Sequence, residues 1–136
     1  MTVAIVGSRK TNMSRDAFAR LADDLIPKEL GKVDRIVSGG AYGIDSLAAW
    51  YARYRGYKLT EYLPDYSIFG RRAPIIRNMD IIRDADFVLA FWDGESRGTL
   101  SSINMALESH KPLLVYYTLS GTARLFTPPR TEQEHK

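Results

Sequence analysis

The sequence predicts an α/β fold class: a Rossmann-like, doubly wound sheet of about five parallel strands with helices on both faces. Three observations predict it. Short apolar runs alternate with stretches of helical spacing over residues 2–117. Two strand-to-helix turns are rich in glycine and hydroxyl residues, Ser38-Gly39-Gly40-Ala41-Tyr42-Gly43 and Asp93-Gly94-Glu95-Ser96-Arg97-Gly98-Thr99. The run Phe87–Trp92 is apolar almost throughout, as a strand buried on both faces requires.

Thr2–Val6 is the first strand, stopped by Gly7-Ser8. Gly7-Ser8-Arg9-Lys10 is then a loop with a permissive glycine, a hydroxyl and two cations. Ser14 suits the N-cap of a helix whose apolar stripe is Phe18, Leu21, Ala22, Leu25 and Ile26. Pro27 ends or kinks that helix, and Gly31 marks the exit. Arg35–Val37 is the second strand and feeds the first glycine-rich turn. The next helix carries Ile44, Leu47, Ala48, Tyr51 and Ala52 on its core side, and Tyr57–Leu63 is the third strand.

Residues 64–74 lack periodicity and mix aromatic rings, a glycine and two arginines, the composition of a lid or binding loop. Pro74 opens a helix with Ile75, Met79 and Ile82 inward. After the strand Phe87–Trp92, Leu100, Ile103 and Leu107 mark a helix ending near Lys111-Pro112, and Leu113–Tyr117 is the fifth strand. From Ser120 the chain is polar and proline-containing. Residues 1–118 are therefore expected to form the domain, and 119–136 a tail that is mobile or docked on a partner subunit.

A chain of 136 residues, 45% apolar and 26% charged, is the size and balance of one globular domain. It has no cysteine, which excludes a disulfide framework, a thiolate metal site and a cysteine nucleophile, and fits a reducing, cytoplasmic setting. Neither a metal nor a cofactor is expected. The N-terminus lacks the pattern of a signal peptide, and no apolar run approaches the ~20 residues of a membrane span, so no membrane partner is expected. The net charge of +3 says little about nucleic acid. Position says more: Arg9, Lys10, Arg71, Arg72, Arg77 and Arg97 all fall in or beside loops that follow strands, which favours an anionic ligand.

In a doubly wound sheet the ligand crevice lies at the C-terminal strand ends. Gly7-Ser8-Arg9, Ser38-Gly39-Gly40, the 64–78 segment and Asp93–Thr99 all fall on that edge. A glycine turn opening into a helix gathers backbone N–H groups, with the positive end of the helix dipole behind them, around one point suited to phosphate. The competing reading is a tight turn with no ligand. Asp45 is either a dipole-stabilised acid at a helix start or a contact to a ligand sugar or a catalytic group. Arg77, followed by Asn78, sits in a first helical turn where a cation opposes the dipole, which favours a ligand contact. Trp50 and Tyr54 lie four apart off the core stripe. They either form a subunit contact, as in a homo-oligomer, or cover a loop.

With these segments in place, the chain resembles the SLOG superfamily of Rossmann-like proteins, which includes the "lonely guy" cytokinin-activating hydrolases and the DNA-processing protein A family. It is most similar to the small stand-alone YspA-related branch. The resemblance rests on Gly7-Ser8-Arg9, on Ser38-Gly39-Gly40-Ala41-Tyr42-Gly43-Ile44-Asp45, on Gly70 with Arg77-Asn78, and on Ala90–Gly94 with Ser96-Arg97-Gly98-Thr99. It covers residues 2–117. Pro74 departs from it, since that branch has a glycine before its Arg-Asn pair, and the tail after Ser120 has no counterpart. The resemblance implies a nucleotide or nucleotide-derivative site at the sheet edge. The cytokinin-activating branch places a catalytic glutamate three residues past its Gly-Thr; here Ser102 stands at that position, and a hydroxyl cannot replace a carboxylate there.

Three functions follow. The first is a sensor or sequestering module for a nucleotide-like ligand. Gly39, Gly40, Gly98 and Thr99 would supply backbone donors, and Ser8, Ser38, Ser96 and Thr99 hydroxyls. Arg9, Arg77 or Arg97 would supply charge, and Asp45 or Asp93 would take ribose hydroxyls. Gly7, Gly43 and Asn78 complete the expected site. The second is an N-glycoside hydrolase with Asp45, Asp93 or Glu95 as the reacting carboxylate. The third is single-stranded DNA binding, with Tyr66 and Phe69 as stacking surfaces.

Overall fold

The computed structural model describes residues 1–128. Its centre is a six-stranded sheet in the order β3-β2-β1-β4-β5-β6, formed by β1 (Thr2–Gly7), β2 (Arg35–Ser38), β3 (Lys58–Glu61), β4 (Phe87–Trp92), β5 (Leu113–Tyr117) and β6 (Thr122–Phe126). The first five strands run parallel, in the register Val3↔Ile36 and Val3↔Phe87 around the central β1. The helices are α1 (Arg15–Leu25), α2 (Ile44–Arg55), α3 (Tyr66–Phe69), α4 (Ala73–Asp84) and α5 (Arg97–Glu108). This is the Rossmann-like α/β architecture that the alternating pattern predicts.

Strand side chains alternate between the two faces, so each buried strand serves two cores. Val3, Ile5, Ile36, Phe87, Leu89 and Phe91 pack with Phe18, Ala22, Ile44 and Tyr51 of α1 and α2. Ala4, Val6, Val37, Val88, Ala90, Leu113 and Val115 pack with Ile81, Ile82, Ile103 and Ala106 of α4 and α5. That double duty explains why Val3–Val6 of β1 and all of β4 are apolar at consecutive positions rather than at every second one. The Ser14 Oγ accepts from Ala17 N at 3.1 Å and starts α1 as its position predicts.

The chain differs from the five-strand expectation at its end. Residues 122–126 do not hang free but turn back at Gly121 (φ +72°) and pair antiparallel with β5, Leu113 opposite Phe126 and Tyr117 opposite Thr122. Thr-Ala-Arg-Leu-Phe lies almost wholly exposed as an edge strand, so its low apolar content concealed it. The part of the expected tail beyond residue 128 lies outside the described residues.

Two helices are also turned from their expected phase. In α4 the buried residues are Ala73, Arg77, Ile81 and Ile82, while Ile75 and Met79 face outward. In α5 they are Thr99, Ser102, Ile103 and Ala106, with Leu100 and Leu107 outward. Both helices present small or polar residues toward the sheet edge because a cleft opens there. β3 is shorter than expected, and the 64–74 segment holds α3 and a 3-10 turn at Gly70–Arg72. No helix among the described residues is long and apolar enough to cross a membrane.

Candidate functional site

The chain leaves β1 toward β2 on one side of the sheet and later crosses to β4 on the other, so the loops after β1 and β4 part company beside each other. The space between them is a cleft of about 430 Å3 at the C-terminal strand edge. Its floor is the end of β1. One wall is the loop after β2 with the start of α2, another is α4, and the third is the turn after β4 with the start of α5.

Close approach of backbone shapes the floor. A Cβ on Gly7 would fall 2.6 Å from Ile44 Cγ1, so only glycine lets α2 begin directly on β1. Gly43 has φ +75°, and a Cβ there would fall 2.3 Å from the Arg9 carbonyl oxygen. Ile44 N donates to the Ser8 carbonyl at 3.1 Å, locking the two turns together. At the mouth of α5, Asp93 Oδ1 accepts from Ser96 N at 2.8 Å and Glu95 N at 2.9 Å. Ser96 Oγ caps the helix by accepting from Thr99 N at 3.3 Å and lies 3.0 Å from Thr99 Oγ1.

Arg77 is the least expected feature: a guanidinium only 9% exposed, on the cleft wall, with no ion pair among the described residues. Its Nη1 donates to the Gly39 carbonyl at 2.7 Å and to the Tyr62 carbonyl at 3.4 Å, and its Nε to Asn78 Oδ1 at 2.8 Å. Three of its five N–H groups are thus taken by neutral acceptors, and the Nη2 pair is left over. Burial weakens its hold on the proton, Asp45 counteracts that, and Arg9 adds to it. Across Gly39 lies Asp45, whose Oδ2 accepts from Ala41 N at 3.2 Å. Burial pushes the Asp45 carboxyl above the ordinary range, against the pull of the Ala41 N–H and of Arg77. Asp93 goes the other way, held low by the Ser96 and Glu95 N–H groups. The lining therefore sets the cations Arg9, Lys10 and Arg77 against the carboxyl groups of Asp45, Asp93 and Glu95.

Ser8 completes the polar surface. Its hydroxyl is buried at the cleft without a hydrogen-bond partner, close enough to Asp93 to lower that carboxyl slightly but outside hydrogen-bond geometry. The structure brings together Gly7, Ser8, Arg9, Gly39, Asp45, Arg77, Asn78, Asp93, Glu95, Ser96, Gly98 and Thr99. Ser38, Gly40, Gly43 and Arg97 do not line the cleft. The Ser38 hydroxyl is buried beneath it without a partner, Gly40 turns toward Leu63 and Glu61, and Arg97 points to the outer face of α5. Lys10, Pro74, Ile81 and Ser102 line it although sequence reasoning did not assign them to the site. Helical spacing carried a signal for three of these. Pro74 and Ile81 stand one turn either side of Arg77-Asn78, and Ser102 stands one turn past Gly98-Thr99. The loop aromatics Tyr66 and Phe69 are 58% and 43% exposed, outside the lining. Trp50 and Tyr54 stack on each other with ring centroids 4.9 Å apart, Arg15 over the first and Arg55 over the second.

Residues 1–59, from β1 through the glycine-rich turn and α2, match the family model of DNA recombination-mediator protein A. Among solved structures, DNA processing protein A from Helicobacter pylori, described for its single-stranded DNA binding mode, is 27% identical with a TM-score of 0.63. That match covers 85% of this chain, which spans only 64% of the other protein. The protein TM1055 is 24% identical with a TM-score of 0.62, over 82% of this chain and 71% of its own, and shares the fold. No curated protein sequence matches the chain significantly. The six-stranded fold, the order of the glycine-bearing turns and these similarities fit the SLOG superfamily of Rossmann-like proteins that the sequence motifs resemble.

Proposed function

We propose that the cleft binds the phosphate end of a nucleotide or nucleotide-derived small molecule, which the protein senses or sequesters. The observation that carries this reading is Arg77: a nearly buried guanidinium, fixed by three carbonyl-type acceptors and without an ion pair among the described residues. A fork held this rigidly pairs with phosphate at small entropic cost. The unpartnered Ser8 hydroxyl and the Gly98 backbone at the start of α5 add donors beside it. Asp93 Oδ2 and Asp45 are the acceptors for sugar hydroxyls.

A second reading, single-stranded DNA lying over the same edge, is favoured by the similarity to the Helicobacter pylori protein and by exposed Tyr66 and Phe69 next to Arg71 and Arg72. Thermal unfolding with AMP, ADP-ribose, cyclic AMP and an oligothymidylate separates these. A ligand at a hundred times its dissociation constant adds about 2.7 kcal/mol of stability. A shift from a mononucleotide that Arg77→Ala removes, with the nucleotide recovered intact, supports the proposal. Release of free base that Asp45→Asn abolishes would make the protein an N-glycoside hydrolase. Binding only to the oligonucleotide, with steep salt dependence, would move the assignment to DNA.

A further inference from the structure

Tyr42 is 84% exposed, more than any other tyrosine of the chain, and stands at the tip of the glycine-rich turn that walls the cleft. The backbone beneath it is held on both sides. Ala41 N donates to Asp45 Oδ2 at 3.2 Å, and the Ala41 carbonyl accepts from Ser46 Oγ at 3.1 Å. On the other side Gly43 lies so close to the Arg9 and Ser8 carbonyls that no Cβ fits, and its own carbonyl accepts from Leu47 N at 3.1 Å. Only the Tyr42 side chain is left free to turn. Its ring joins none of the ring–ring or arginine–ring contacts among the described residues, whereas Trp50 and Tyr54 stack on each other.

The cleft lacks what this ring can supply. Its cations, carboxyls, hydroxyls and glycines answer a phosphate and a sugar, but no side chain in its lining is aromatic. A nucleobase presents two flat π-faces and finds no flat partner there. Ala41 is part of the lining, so Tyr42 is rooted one residue from the wall. Asp45, a proposed acceptor for a sugar hydroxyl, is the residue that holds Ala41 N. Sugar and base would therefore meet neighbouring parts of one turn.

We infer that Tyr42 is the base-recognition residue of the cleft, its ring turning over the mouth to stack on the base of a bound nucleotide. The inference rests on the nucleotide reading above, and it specifies a ligand with an aromatic base rather than a plain sugar phosphate. A tyrosine on a fixed backbone gives up only two side-chain torsions when it stacks, so little entropy opposes the contact. Recognition by a ring face tolerates every base and favours the larger purines.

Calorimetric titration of the full chain with AMP and with ribose 5-phosphate, which keeps sugar and phosphate but has no base, tests this. AMP should bind about tenfold more tightly or better, the increment of one base stacked on one ring. Tyr42→Ala should bring the ratio of the two affinities close to one and melt with the wild type, because the ring is exposed. Tyr42→Phe should keep the ratio. Tyr42→Trp adds an indole whose fluorescence, over the background of Trp50 and Trp92, should respond to AMP and not to ribose 5-phosphate. Equal affinity of the wild type for both ligands overturns the inference and leaves the phosphate reading standing. So does a ratio that Tyr42→Ala leaves unchanged, or one that Tyr66→Ala removes in its place, which would assign the base to α3. Binding of neither ligand overturns the nucleotide reading and this inference with it.

Discussion

Arg77 and Gly39 are joined across 38 positions of sequence by a 2.7 Å hydrogen bond from Nη1 to the glycine carbonyl. This bond fastens α4 to the loop after β2. It also explains why position 39 has no side chain: a Cβ would fall 2.6 Å from Arg77 Nη1 and 2.9 Å from Asp45 Oδ2. The cation of one helix and the acid of another flank a single glycine, and neither touches the other as an ion pair.

Gly39→Ala should therefore displace the guanidinium and weaken ligand binding more than it weakens the fold. Arg77→Ala removes the donor itself and leaves the Gly39 and Tyr62 carbonyls short of a partner, a loss of about 1–3 kcal/mol. Urea unfolding measures the stability of both variants, and calorimetric titration with AMP measures binding. If Gly39→Ala binds as the wild type does, the position of Arg77 is not what governs the cleft.

The two glycines that bracket the site give opposite expectations. Gly43 has φ +75°, and a Cβ there would fall 2.3 Å from the Arg9 carbonyl oxygen, an atom that cannot swing away. Gly43→Ala should cost about 2 kcal/mol or more, combining the left-handed backbone with a backbone clash. Nothing lies within 4 Å of a Cβ on Gly98, which has an ordinary helical position at the start of α5. Gly98→Ala should leave the melting temperature unchanged or raise it through the lower entropy of the unfolded chain. Since Gly98 lines the cleft, the same variant should weaken phosphate binding by filling the approach to the backbone. Thermal melts with and without AMP read both effects.

The expectations that rested on period and punctuation agree with the structure: β1, β4 and β5, the Ser14 cap, and the glycine-bearing turns after β2 and β4. Their signals are local, set by strand burial and turn geometry. The phases of α4 and α5 were not legible because an apolar stripe marks the core face only when the helix covers core alone. Here each helix spends its first turns on a polar cleft, so Ile75, Met79, Leu100 and Leu107 were left for the outside. β6 was hidden for a related reason: an edge strand with one neighbour needs little apolar surface, and its pairing with β5 is a long-range fact. Arg77 stood out in the sequence through its clash with the helix dipole, but nothing local indicated that carbonyls from residues 39 and 62 would receive it.

Asp45 gives a pH signature. Burial holds its carboxyl above the ordinary range, so the folded state binds the proton more tightly than the unfolded chain does. Below about pH 4 both states are protonated and the group contributes nothing. As pH rises from there through the raised value, ionisation in the folded state costs stability. Asp45→Asn keeps an acceptor for the Ala41 N–H and removes that cost. Its melting temperature should match the wild type near pH 3.5 and exceed it at pH 7. A gap of constant size across that range would show that the asparagine acts through packing alone.

Asp84 carries the opposite sign, away from the cleft. Its carboxylate accepts from both Nη atoms of Arg35, at 2.8 and 2.6 Å, and from the Tyr62 hydroxyl at 2.8 Å, joining the start of β2, the end of α4 and the residue after β3. Those bonds, the Arg35 pair first, hold its carboxyl below the usual range. The contribution is complete above the unfolded value near pH 4 and is lost as pH falls through the lowered folded value. About a quarter of each side chain in the ion pair remains exposed, so solvent keeps the contribution to about 1–2 kcal/mol. Asp84→Asn should lower the melting temperature at pH 7 and converge on the wild type as the pH is taken toward 2. The same pair anchors α4 from its C-terminal end while Arg77 anchors it from the first half. Asp84→Asn should therefore leave AMP affinity unchanged at 20 °C, where the helix is still seated by Arg77. A loss of affinity equal to that of Arg77→Ala would instead show that the cleft depends on the whole helix rather than on one guanidinium.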